Sequence, residues 1–371
     1  VTDVLELAQA LVRLDTCGAG EQAAAELCAA LLAEAGAQVE IVKMEPRRAH
    51  VLARTGDVLA EPLVLSGHLD TVPAGSAEWT RDALCGDIDR GLLHGRGSVD
   101  MKGGVAALVV ALERHLQRGA PGRGVLLVLT AAEETGCSGA RHLVATRELP
   151  GGGPLLVAEP TDLRIAHGHK GVLWLAASAR GRSAHGSRPD LGENAILPLA
   201  RLAIALDEIG LPGGHPEMGD VTVNVGTLHG GTQINLVPDE ARLEIDIRVV
   251  AGIESRPLRD RVSELGGPDV SIETILDLAA VYSDGGAFAR DVARTVESVL
   301  GAVSERPPLT YFTDASILQS ALTPSEIVIL GPGDPDEAHT LDECCPVTQI
   351  EAALEIYDGV LRSWTSGAPS P

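Results

Sequence analysis

Five short stretches, far apart in the chain, carry residue types that bind metal and move protons. They read Ser66-Gly67-His68-Leu69-Asp70-Thr71-Val72, Gly97-Ser98-Val99-Asp100-Met101-Lys102-Gly103-Gly104, Ala132-Glu133-Glu134-Thr135-Gly136, Ala158-Glu159-Pro160-Thr161-Asp162 and Ala338-His339-Thr340-Leu341-Asp342. Two His, one Asp and two or three Glu meeting at one place are the donor set of a hydrolytic centre with two metal ions. His68 and Asp70 are two apart in an extended run, so their side chains point the same way, and a nearby carboxylate sets the tautomer of a metal-ligating imidazole. Asp100 lies in a glycine-flanked turn before a helix, where an aspartate can cap the helix or bridge two cations. Glu133 and Glu134 repel each other unless a cation or a proton separates them. One can ligate metal while the other acts as general base, and spacing does not say which. Glu159 and Asp162 compete for a further ligand position. His339 stands in a loop, by itself an ordinary surface residue. Two zinc ions bring four positive charges, which Asp100, Glu134, Glu159 and a hydroxide would balance, and a partly buried site tolerates that neutral sum best.

Each stretch follows an apolar run or a Gly-rich turn, so each falls where a buried strand delivers polar side chains to a sheet edge. Periodicity predicts helices over residues 3–15 and 21–35, the second closed by Gly36. Short β runs follow at 39–42, 50–53 and 63–65, then a helix at 103–118. Apolar strands at 124–129 and 155–157 end just before the Glu pair and Glu159. This alternation predicts an α/β fold with a central, mostly parallel mixed sheet. The texture changes near residue 172. Strands at 172–179, 221–228, 241–250 and 270–276 and helices at 194–209 and 254–265 make a smaller α+β unit, whose Arg242, Glu244, Asp246 and Arg248 alternate with apolar residues. Long helices and an apolar strand at 327–330 resume from Gly285. The expected organisation is a catalytic domain of residues 1–172 and 284–371 with an inserted domain at 173–283. The tail 366–371 reads as disordered.

A chain of 371 residues makes two domains the natural expectation. Hydrophobic residues are 45% and aromatics only 2%, so the core must be built of Ala, Val, Leu and Ile. A formal charge of −23 argues against nucleic acid or an anionic membrane as partner. The six cysteines form no C-x-x-C pair and read as reduced thiols. No apolar run approaches the roughly 18 residues that cross a bilayer, and residues 1–13 are acidic and amphipathic rather than signal-like. A cytoplasmic protein is expected.

The five motifs, in this order, resemble those of the zinc aminoacylase/carboxypeptidase superfamily (the M20 metallopeptidases) that contains acetylornithine deacetylase, succinyl-diaminopimelate desuccinylase and glutamate carboxypeptidase. The resemblance implies a zinc-peptidase-like catalytic domain with an inserted lid and dimerisation domain, and two zinc ions, for which cobalt can substitute. It places His68 and Glu159 on one zinc, Glu134 and His339 on the other, and Asp100 between them. Asp70 would orient His68, Glu133 would be the general base, and the Asp100–Met101 peptide would be cis. In the inserted domain, Ser183-Ala184-His185-Gly186-Ser187-Arg188-Pro189 resembles the family stretch whose His stabilises the oxyanion, often from the partner subunit. Gly230-Gly231-Thr232-Gln233-Ile234-Asn235-Leu236-Val237-Pro238 resembles the loop that places Asn235 at the substrate, and Arg248 resembles the arginine that holds a substrate carboxylate. The implied activity is hydrolysis of the amide of an N-acyl amino acid or small peptide, of the deacetylase/desuccinylase type in amino-acid metabolism, by a homodimer. The alternatives are release of an amino acid from a carrier protein, and a carboxypeptidase or dipeptidase of the same superfamily. More distant is a nucleotide-binding protein with His94-Gly95-Arg96-Gly97 and Gly103-Gly104 as phosphate loop, which Asp100 would oppose.

Overall fold

The computed structural model describes residues 1–18, 20–119 and 122–366, so the tail expected to be disordered lies, beyond Ser366, outside the described residues. The described chain forms two compact units. One comprises Val1–Gly168, Tyr282–Pro307 and the chain from Thr313 onward; the other comprises His169–Val281 with Pro308–Phe312.

The first unit is built on a six-stranded sheet in the order Gln38–Glu45, Arg48–Thr55, Val125–Thr130, Leu63–His68, Leu155–Val157, Ile327–Ile329. The last four run parallel, and Arg48–Thr55 is antiparallel to its neighbours. Leu63–His68 and Val125–Thr130 are buried along their whole length, which is why they read as continuous apolar runs without alternation. Parallel register brings three of the five motifs to one edge. His68 pairs with Thr130, from which Ala131-Ala132 leads into the Glu pair. Ser66 pairs with Val157, and the Ala158 amide continues that ladder by donating to the Ser66 carbonyl at 3.0 Å, so Glu159 emerges beside His68.

Asp100 arrives differently, from the tight turn Ser98–Lys102 that opens the helix Gly103–Gln117. The Asp100–Met101 peptide is cis. The helix is buried along most of its length, through residues such as Leu108, Val109 and Leu112, and packs on the C-terminal helix Val347–Thr365. It lies so close to the sheet edge that a Cβ on Gly104 would stand 2.4 Å from the Ala158 carbonyl oxygen. His339 sits in the left-handed region (φ 63°) just after the turn Pro335–Glu337.

The second unit is an antiparallel sheet in the order Thr222–Gly230, Glu240–Val249, Gly171–Arg180, Val270–Leu278, with helices Ile196–Ile209 and Ser255–Gly266 packed on it. Along Glu240–Val249, Leu243, Ile245, Ile247 and Val249 are buried and the intervening charged residues are not. The Pro308–Phe312 stretch has no counterpart in the sequence expectation. It joins this unit because the Leu309 carbonyl accepts the Lys170 amide at 2.8 Å and Phe312 packs edge-on against Trp174.

A Cβ on Gly139 would fall 1.5 Å from the Ala131 carbonyl oxygen, so the helix after the Glu pair can approach the strand end only as glycine. Gly139→Ala is expected to cost about 3 kcal/mol or more, since the backbone must move rather than a side chain; urea unfolding measures it.

Candidate metal centre

Asp100 stands at the middle of the first unit's cluster and faces both ways. Its Oδ1 lies 2.9 Å from His68 Nε2, and its Oδ2 lies 3.1 Å from His339 Nε2. His68 Nε2 is also 3.8 Å from Glu159 Oε1, and His339 Nε2 is 2.9 Å from Glu134 Oε1. Donor atoms of His68, Asp100 and Glu134 lie within 4.8 Å of one another. Glu159, left in competition with Asp162 by the sequence, is the one that points inward. Asp162 is exposed and accepts from Gln349 Nε2 at 2.6 Å.

Asp70 anchors the Glu pair. Its Oδ1 and Oδ2 accept the amides of Glu133 and Glu134, each at 3.0 Å. His68 Nδ1 lies nearer the Asp70 backbone carbonyl, at 3.1 Å, than its carboxylate, at 3.6 Å. The backbone oxygen therefore orients the imidazole most directly, and the carboxylate is engaged with the loop behind it. His50 holds the same loop one step earlier, its Nδ1 accepting the Ala131 amide at 3.0 Å. It stays neutral to do so, because burial and the stacked His142 push its pKa down to about 4.

The charges do not balance without a cation. Asp70, Asp100, Glu133, Glu134 and Glu159 converge on two imidazoles. Burial and neighbouring carboxylates raise Glu133 and Glu159 well above the usual carboxylate range, and burial raises Glu134. Burial alone would raise Asp100 too, but hydrogen bonds to His339 and His68 hold it low. His68 is disfavoured as a cation by burial, yet Asp100, Asp70 and Glu159 outweigh this and raise it; His339 is pushed up to about 10 by Asp100 and Glu134. Both directions of shift mark a site short of positive charge. A hard or borderline divalent cation with N and O donors fits this set.

Three residues expected at the site belong to the second unit. His185 is exposed, with Nδ1 2.8 Å from Ser187 Oγ, and its backbone bridges to Leu236. Asn235 is exposed, its carbonyl accepting the Gly186 amide at 2.7 Å, so the two expected loops are neighbours. Arg248 is half-buried and already paired, Nη2 to Asp246 Oδ2 at 2.9 Å along its own strand.

The sequence reading missed several residues. Buried Asp314 accepts from Thr130 Oγ1 and forms a compact group with Cys137 and Glu133; burial pushes its pKa up to about 6. Thr313-Asp314 begins a helix and carries no motif, so no local signal marks it. Arg96, weighed above as part of a phosphate loop, is buried against Glu343, 2.6 Å from Nη1 to Oε2. That guanidinium is therefore engaged by a carboxylate rather than turned toward a phosphate loop.

Residues 64–363 match the model of peptidase family M20/M25/M40. A probable succinyl-diaminopimelate desuccinylase from Staphylococcus aureus is 30% identical over 358 residues, covering 86% of this chain and 88% of that protein. A probable carboxypeptidase from Paracoccidioides lutzii is 32% identical over 329 residues, covering 81% and 71%. The fold matches an M20 family metallo-carboxypeptidase from Sulfolobus solfataricus with a TM-score of 0.84 at 16% identity, over 98% of this chain and 99% of that one. The chain belongs to peptidase family M20/M25/M40 and is a hydrolase acting on amide or peptide bonds. Among the described residues no helix is long and apolar enough to cross a membrane.

Asp70→Asn leaves one acceptor oxygen for two amides, so one end of the Glu pair is released. Metal affinity or kcat/KM is expected to fall by about 10- to 100-fold, measured by metal titration and steady-state kinetics.

Proposed function

We propose that the protein is a co-catalytic dizinc amidohydrolase that cleaves the amide of an N-acyl amino acid or small peptide. The observation that carries this reading is Asp100, whose two carboxylate oxygens each meet a different imidazole. His68 and Glu159 would hold one zinc, Glu134 and His339 the other, with Asp100 shared; cobalt would substitute. When bound, the metals supply positive charge that polarises the amide carbonyl and makes water more acidic. Glu133 accepts a proton from the attacking water and delivers it to the departing amine nitrogen. Its burial and its amide tether to Asp70 support that role, since a base held in a dry site keeps its aim.

In the same reading, His185 donates to the oxyanion, Asn235 contacts substrate and Arg248 exchanges Asp246 for the substrate carboxylate. The His169–Val281 unit acts as a lid and joins two subunits. Thr222–Gly230 is an edge of its sheet, and the neighbouring helix exposes Leu197 and Ile204 at 52% and 57%. An open edge beside exposed apolar residues is a pairing surface. Six free thiols support a reducing, cytoplasmic setting. Carboxypeptidase-type cleavage is the second reading, favoured by the relatives of that name. A panel of N-acetyl and N-succinyl amino acids against dipeptides, assayed with Zn²⁺ or Co²⁺, separates the two; no turnover of any would sink both.

Glu133→Gln is expected to keep its metal and lose about 10²–10⁴-fold in kcat, whereas Glu134→Gln should lose metal from one position. Metal content and turnover of the two variants, side by side, check this division. His185→Ala should lower kcat by roughly 10²–10³-fold. Mixing it with a zinc-ligand variant tests whether His185 serves the other subunit: heterodimers without recovered activity would show that it does not.

A further inference from the structure

The dimetal reading leaves unexplained how a histidine in a half-exposed loop meets an aspartate in a helix-opening turn far earlier in the chain. His339 is 47% exposed and adopts a left-handed backbone. What stands behind both is a buried ion pair. Glu343 is completely buried and Arg96 is 4% exposed, and they meet at 2.6 Å. The other oxygen of Glu343 accepts the Val99 amide at 2.8 Å and the Asp100 amide at 3.2 Å, across 244 and 243 positions of sequence. The second terminal nitrogen of Arg96 donates to the His339 carbonyl at 3.4 Å. The Glu343 backbone joins in, its carbonyl accepting the Gly95 amide at 2.9 Å.

A buried ion pair is weak evidence for stability, since an apolar pair of similar volume often serves as well or better. Its use here is geometric: a planar guanidinium offers donors in fixed directions, and a carboxylate accepts in two. We propose that Arg96 and Glu343 are positioning residues of the metal centre, holding the Asp100 turn and the His339 loop in one register before metal arrives. The inference rests on the dimetal reading. Neither side chain ligates metal. Their effect falls hardest on the Asp100–Glu134–His339 position, two of whose ligands they hold, and less on the position where Asp100 joins His68 and Glu159, which the sheet register builds.

The test is titration of chelator-stripped, full-length protein with Co²⁺, followed by its visible spectrum and by calorimetry. Wild type should bind two ions. Glu343→Gln keeps an acceptor for the two amides but loses the charge, and Arg96→Lys keeps the charge but loses the fork. In each, one of the two ions should bind about 10- to 100-fold more weakly and the other should weaken less, with circular dichroism unaltered. If wild type binds fewer than two ions, the dimetal reading itself fails. If wild type binds two and both variants bind two with unaltered affinities, the positioning role is overturned. A second measurement needs no variant and covers the case in which these fail to fold. The Val99 and Asp100 amides should be protected from hydrogen exchange in metal-free wild type, and free exchange there would overturn preorganisation.

Discussion

Buried negative charge is the constraint around which the first unit is arranged. Five carboxylates, those of Asp70, Asp100, Glu133, Glu134 and Glu159, gather at one sheet edge, where among the described residues His68 and His339 are the imidazoles that meet them. An ionised carboxylate out of water costs several kcal/mol even after relaxation, so such a cluster persists only with compensating charge. The raised carboxylates and raised imidazoles both mark a shortage of positive charge at this edge. Divalent metal would supply the positive charge that this cluster lacks.

The fold meets this constraint by separating two tasks. Sheet register brings His68, the Glu pair and Glu159 together, since parallel neighbours ending at the same level must deliver their next residues side by side. That arrangement is backed by fully buried strands and is stiff for that reason. Asp100 and His339 come from turns outside the sheet and lack that support. Their placement depends on polar contacts with Arg96 and Glu343 behind them. The centre joins a rigid half made by packing to a half assembled from hydrogen bonds. The second unit carries His185, Asn235 and Arg248 on its own sheet and loops, with Asn235 and His185 on adjoining backbone.

Much of this could be read from the chain alone. Apolar runs of strand length ending in His, Glu or Asp announce a sheet edge with polar cargo, and the observed strands Leu63–His68, Val125–Thr130 and Leu155–Val157 differ from the expected ones only by a residue or a few at their ends. Period-two alternation over Glu240–Val249 and the helix break at Gly36 were legible because each is a local property of the backbone. Residue type and spacing left Glu159 and Asp162 equal, because both are acidic and three apart, and the motif resemblance alone named Glu159. The choice is made by Gln349 and by a left-handed Asp162 backbone. Pro308–Phe312 joined the second unit through contacts with Lys170 and Trp174, which no periodicity records.

The sequence by itself determined the candidate donors, the α/β class and the hydrolytic class, since residue type, apolar period and motif order are properties of the chain. Tertiary structure alone decided what stands behind those donors. Glu343 reaches Val99 from 244 positions away, and Asp314 lies buried with Cys137 and Glu133 from a helix start without any motif. Such partners leave no local signal because their proximity is created by packing. An arginine or aspartate reads the same in sequence whether water or another side chain will satisfy it, and only burial settles which.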